Sequence, residues 1–153
     1  MSVEDRLNAL GLTLPVPAAP VATYRPYVIA CGLMFVSGQV PIESDGAVVR
    51  GRLGNTMGVE AGAAAARSCA LMLLAQVREG LNGDLNRVTQ VVRLGVFVSS
   101  ADNFTDQPIV ANGASDLMVA LFGDSGRHVR TAVGVPVLPL GAAVEVDGIF
   151  AFR

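Results

Sequence analysis

Between Val59 and Leu81 the chain settles into a helical period. Ala63, Ala66, Ala70, Leu74, Val77 and Leu81 recur at three- and four-residue steps, and Asn82-Gly83 supplies the stop. The other side of this helix is what constrains the fold. Glu60, Arg67 and Arg78 fall within about 20° of one another at 100° per residue, so the charge forms one narrow stripe. A helix of small apolar residues with so little charged surface is expected to be covered on more than one side, partly by another subunit.

The flanking segments supply candidates for that cover. Residues 1–12 read as a short helix with Ser2 as N-cap, Asp5 at the capping-box position and Gly11 as its stop. Pro15, Pro17, Pro20 and Pro26 make Leu14–Tyr27 an extended surface connector, because proline suits neither helix interior nor central strand. Val28–Ala30 and Leu33–Val36 form a hairpin across Cys31-Gly32, and Asp45-Gly46 marks a second turn before a third strand at Val48-Val49. Gly51 to Gly58 is a loop. Val88–Val98 is the longest strand, with Val92, Leu94, Val96 and Val98 on one face and Val91, Arg93, Gly95 and Phe97 on the other. Pro108 opens a second helix that runs to about Phe122. Arg130–Val135 and Ala142–Phe152 are the last strands. The order β-β-β-α-β-α-β-β predicts an α+β layer, a mainly antiparallel sheet with two helices packed on one face. Bulk on both faces of the Val88–Val98 strand predicts that the second sheet face is buried too, in a closed homo-oligomer.

The chain has 153 residues, sized for one domain, with residues 1–26 as a helix and connector and 27–153 as the folded unit. All eleven basic side chains are arginine, and His128 is the only histidine. Schiff-base lysine chemistry, a phosphate-gripping lysine and a histidine-pair metal site are therefore excluded. A net charge of −2 without a basic run, together with 5% aromatic residues, argues against nucleic acid as a partner. Cys31 and Cys69 lack metal-ligand spacing and read as buried thiols. Neither metal nor cofactor is expected. No signal peptide is visible, since Glu4, Asp5 and Arg6 precede any apolar run, and apolar stretches end well short of a membrane span. A soluble, cytoplasmic protein is the expectation.

Candidates for chemistry are few. Arg130 opens a strand and His128 stands two residues earlier, so an extended chain puts both on one face; Glu145 and Asp147 share a face of the last strand. Arginine suits a carboxylate better than a proton, and Glu145 could orient or deprotonate a water if burial raises its pKa. The same two residues could equally form an interstrand ion pair. A lone histidine is more often a hydrogen-bonded structural residue than a catalyst. Ser37 lacks the Gly-x-Ser-x-Gly elbow of hydrolases, and Gly51–Gly58 lacks a nucleotide-loop pattern.

Three segments carry a family resemblance. Leu33-Met-Phe-Val-Ser-Gly-Gln-Val-Pro41 resembles the hLlFvSGQiP segment of the Rid family, the YjgF-like reactive-intermediate deaminases once labelled endoribonuclease L-PSP. Val88–Val98, followed by Asp102 and Phe104, resembles the family's vvk.tvfv strand. Arg130-Thr-Ala-Val-Gly-Val-Pro-Val-Leu-Pro-Leu-Gly-Ala-Ala-Val-Glu145 is similar to ARsaVeVa.LPkgalVEie. The resemblance covers roughly Tyr27 to Phe152. It implies a chorismate-mutase-like fold and a homotrimer with ligand clefts between subunits. It also implies a carboxylate clamp at Arg130, a water positioned by Glu145, and hydrolysis of 2-imino acids to 2-keto acids and ammonia. Tyr27 and Gly32 match ligand-contacting positions of the family's first hairpin. On the second helix, either Asn112 or Ser115 takes the place of the family asparagine, and His128 lies on the approach to Arg130. The chain departs from the compact deaminases in its N-terminal segment, its Gly51–Gly58 loop, Ala132 where a cysteine is frequent, and Gly126-Arg-His-Val-Arg130 in place of Pro-Ala-Arg. These mark a divergent, longer subgroup. A non-catalytic metabolite-binding or stress-related role on the same scaffold is the alternative, and a ribonuclease lacks the second histidine or lysine for an acid/base pair.

Overall fold

The computed structural model describes residues 1–17, 19 and 22–153. Helix α1 (Val3–Ala9) starts on the reciprocal Ser2–Asp5 capping box. Strands β1 (Tyr27–Ala30) and β2 (Leu33–Gln39) follow, then helix α2 (Val59–Gly80), strand β3 (Val88–Ser99), helix α3 (Gln107–Phe122), strand β4 (Val129–Val135) and strand β5 (Val144–Phe152). Pro20, one of the four connector prolines, lies outside the described residues.

One five-stranded sheet has the order β1-β2-β5-β3-β4. All neighbours are antiparallel except β3 and β4, which run parallel with α3 as their crossover. The turn between β1 and β2 is made by Cys31 (φ 53°) and Gly32 (φ 73°), two successive left-handed residues that match the twist of a two-residue hairpin. That places Cys31 at an exposed tip, against the expectation of a buried thiol. Cys69 is buried, its thiol donating to the Val144 carbonyl at 3.6 Å.

Helices α2 and α3 lie on one face. Ala65, Ala66, Cys69, Ala70, Leu73, Leu74 and Val77 of α2 are buried with Val110, Ala111, Ala114, Leu117 and Met118 of α3 over Met34, Val36, Leu94, Val96, Val144, Val146 and Phe150. The wide buried arc on α2 fits the narrow stripe of Glu60, Arg67 and Arg78, although the exposed Glu79 stands about 100° from that stripe in the last turn. The other sheet face carries Val28, Phe35, Phe97, Val129 and Val133, and over Gly95 the Arg93 guanidinium bonds Asp147 at 2.9 Å. Four of these residues, Val28, Phe35, Val129 and Val133, are 49%, 41%, 68% and 39% exposed in the single chain.

Two local expectations are corrected. Val48-Val49 forms no strand of the sheet; Val48 makes a single bridge to Ile42, because Pro41 lacks a backbone donor and the chain turns again at Gly46. On β3 the residue pairs Val91–Phe150 and Arg93–Ile149 leave Val92 as a bulge. The extra residue turns Val91 to the helix side with Leu94, Val96 and Val98, where it is fully buried.

Candidate active site

The sheet order decides which of the candidate residues can meet. Arg130 on β4 is registered with Leu94, whereas Glu145 on β5 is registered with Phe97. Strand β3 lies between them, and an offset of three positions along it puts the two Cβ atoms on opposite faces. The interstrand ion pair is therefore absent, and within one chain the two residues belong to separate half-sites.

The first half-site is built on the edge strand β4 and the crossover helix α3. Arg130 Nη1 donates to Asn112 Oδ1 at 2.9 Å and to Ser115 Oγ at 3.0 Å, and Nη2 donates to the Pro108 carbonyl at 3.3 Å. Asn112 and Ser115 are three apart, so one helix face presents both, and each bonds the guanidinium. Three of the five guanidinium donors are thus engaged. The Nε–H and one Nη2–H have no partner among the described residues, and no carboxylate there lies within 4.0 Å of Arg130. Ser115, Asp116, Val119, Arg127, His128 and Arg130 line an open cleft of about 460 Å³.

His128 locks this arrangement from behind. Its Nδ1 lies 2.6 Å from the Gly126 carbonyl, which can only accept, so Nδ1 carries the proton. Nε2 then accepts the Ser115 hydroxyl at 2.9 Å, and Ser115 Oγ keeps a lone pair for Arg130. Burial holds the imidazole below its usual range; the Gly126 bond opposes this and the Arg130 charge reinforces it. A folded-state pKa below the unfolded one means that the unfolded chain binds more protons as pH falls below about 6.5. The neutral histidine therefore contributes stability that is complete above that pH and is lost as pH drops toward the folded value. Urea unfolding at pH 7.5 and pH 5.5 should show a larger loss for the wild type than for His128→Gln. An equal loss in both would contradict this role.

The second half-site forms where β2 leaves β5. One extra residue between Val36 and Gln39 bulges the strand. Gly38 lies under the Glu145 side chain so closely that a Cβ there would overlap Oε1 and stand 2.9 Å from Cδ. Burial, and then the neighbouring Asp147 charge, push the Glu145 carboxyl above its usual range. Tyr24, Gln39, Met72, Gln76 and Leu140 share its pocket. Tyr27 is elsewhere, on the helix side of β1, where a Cβ at Gly80 would stand 3.0 Å from its ring. Gly32 is at the hairpin tip on the far side of the sheet from β4. Sequence reading reached Arg130, Asn112, Ser115, His128 and Glu145 but missed Tyr24, Gly38 and Gln76. Gly38 stood in the Ser-Gly-Gln segment and was legible; Gln76 had no local signal. Among the described residues, no cluster of three or more His, Cys, Asp or Glu is placed to hold a metal ion, and no helix is long and apolar enough to cross a membrane.

A five-stranded mixed sheet with helices on one side, an anchored arginine on its edge strand and a half-buried glutamate at the other end of the signature defines an α+β protein of the chorismate-mutase-like class. Residues 4–151 match the family described as "YjgF/chorismate_mutase-like, putative endoribonuclease", and the chain belongs to that family. Protein TCP17 of Trypanosoma cruzi is 50% identical over 148 residues, 96% of this chain and 92% of that protein. Among solved structures, Atu1372 of Agrobacterium tumefaciens is 44% identical with a TM-score of 0.93, covering 99% of this chain and 92% of that one. RidA of the Antarctic bacterium Psychrobacter sp. is 25% identical with a TM-score of 0.60, covering 92% and 96%. The family match starts at residue 4 and so takes in α1, which the sequence motifs did not reach.

Proposed function

We propose that this protein binds a small 2-imino acid by its carboxylate at Arg130 and hydrolyses it to the 2-keto acid and ammonia, in clefts between the subunits of a homotrimer. The observation that carries the reading is the Arg130 guanidinium, fixed by Asn112, Ser115 and Pro108 on the wall of an open cleft, with two donors unengaged by the described residues. Such a fork recognises a carboxylate bidentately, and its orientation is set before the ligand arrives. The similarity to RidA supports imine chemistry over the RNA cleavage in the family's description, since His128 has no second histidine or lysine beside it.

Glu145 supplies the second function. A carboxylate with a raised pKa can take a proton from water as the oxygen attacks the imine carbon. That proton passes to the imine nitrogen to give the carbinolamine, whose hydroxyl proton is then moved to the amine as the C–N bond breaks, releasing the keto acid and ammonia. Because Arg130 and Glu145 lie on opposite faces of one sheet, the cleft is completed by a neighbouring chain. The exposed β4 edge and the apolar sheet face around Phe35, Phe97 and Val133 are the surfaces that a closed trimer would bury.

Arg130→Ala should lower 2-keto acid affinity and ammonia release from freshly generated imino acids by roughly 100-fold. Arg130→Lys should recover only part of this, because a point charge does not replace the fork. Calorimetry and an ammonia assay provide the two readouts. Equal affinity and rate in wild type and Arg130→Ala would refute the reading; binding without turnover in the wild type would leave the metabolite-binding alternative.

A further inference from the structure

Gln76 sits on α2 between Ala75 and Val77, and only 3% of its surface is exposed. Its carboxamide makes no side-chain hydrogen bond to the described residues and is not among the unpartnered polar atoms shut off from solvent, and the residue lines the Glu145 pocket. A polar side chain set this deeply in an alanine- and leucine-rich helix flank, on the wall of a pocket, points to a ligand group that bonds its amide when the pocket's water is displaced. The pocket has a volume of about 360 Å³, and Tyr24, Val40, Met72 and Leu140 line it together with Glu145 and Gln76. At roughly 30 Å³ per water, it holds a small acid with a side chain of several atoms.

We propose that this pocket is a side-chain subsite in which Gln76 selects substrates whose short apolar chain ends in an uncharged hydrogen-bonding group, a carboxamide above all. The inference rests on the imine-hydrolysis reading, which puts the reacting carbon beside Glu145 and leaves the rest of the substrate to reach Gln76. A carboxamide offers donors and an acceptor that match those of Gln76 reciprocally. A carboxylate terminus meets repulsion from Glu145, and a plain alkyl terminus leaves the glutamine amide unpaired. Sites built to bond a polar group reject isosteres that lack it far more strongly than apolar pockets reject an added polar group.

Three isosteric acids separate these cases in the full-length protein. 2-Oxosuccinamate, 4-methyl-2-oxopentanoate and oxaloacetate differ only in a terminal amide, isopropyl or carboxylate. Calorimetry should show the amide bound at least tenfold more tightly than either of the others, and Gln76→Leu should remove that preference while leaving or improving isopropyl binding. Ammonia release from the imino acids made from asparagine and leucine by an amino-acid oxidase should follow the same order. Equal wild-type affinities, binding of none of the three acids, or a preference unchanged in Gln76→Leu would overturn the subsite. Hydrolysis of both imines at equal rates, unaltered by Gln76→Leu, would overturn the subsite and leave the hydrolysis reading standing. An amide preference in binding without any ammonia release would support the subsite and refute hydrolysis.

Discussion

Gly113→Ala should lower the melting temperature by roughly 4–8 °C, a result opposite in sign to what helix propensity alone implies. Gly113 lies inside α3, where alanine is intrinsically better by about 1 kcal/mol. Here, however, a Cβ would overlap the Ala63 carbonyl oxygen of α2 and stand 2.7 Å from its carbon and 3.0 Å from its Cα. Backbone cannot rotate away as a side chain can, so the overpacking cost falls at the upper end of the usual range, about 3 kcal/mol. The net loss of about 2 kcal/mol, in a domain of this size, gives the shift stated. Gly58→Ala is the control: no atom lies within 4 Å of its Cβ, and its melting point should hardly move. A Gly113→Ala protein melting with the wild type would show that the two helices are not in this contact. The same variant should weaken 2-keto acid binding, because α3 carries Asn112 and Ser115 to Arg130.

The elements were legible in the sequence wherever local chemistry determines them. The Ser2–Asp5 box, the small-residue face of α2 and its Asn82-Gly83 stop, and the Cys31-Gly32 hairpin are each set by residues a few positions apart. Strand order was not legible. Nothing near Val144 records that β5 inserts between β2 and β3, and that insertion is what separates Arg130 from Glu145. Alternation along β3 was legible from Arg93 onward but failed at Val91, because the bulge at Val92 reverses the parity until a second register shift, between Val88 and Gln90, reverses it again. In the site, Arg130 was visible from its signature, while its bonds to both Asn112 and Ser115 depend on how α3 crosses back over the parallel strands. Gln76 was invisible for the opposite reason. A single glutamine in a helix reads as part of a polar face until packing shows it buried.

Mixing two inactive variants should restore activity to about one quarter of the wild-type level, if the cleft takes its arginine from one subunit and its glutamate from the next. Arg130→Ala lacks the clamp and Glu145→Gln lacks the base, so each homotrimer alone is expected to be inactive. Both changes leave the core untouched: Arg130 is a half-buried edge-strand residue, and Glu145→Gln is isosteric. In trimers assembled from an equal mixture, a given cleft draws an intact arginine with probability one half and an intact glutamate from its neighbour with probability one half. One cleft in four is then complete. Coexpression with two different affinity tags isolates the mixed trimers, each with one complete cleft of three, so their ammonia release from a fresh imino acid should reach about one third of the wild-type rate, against about one quarter for the unsorted mixture. A single-chain site would give no rescue, because every chain would carry one defect. The rescue thus tests the assembly and the pairing of Arg130 with Glu145 in one measurement, and it depends on the topological fact that β3 keeps the two residues apart within each chain.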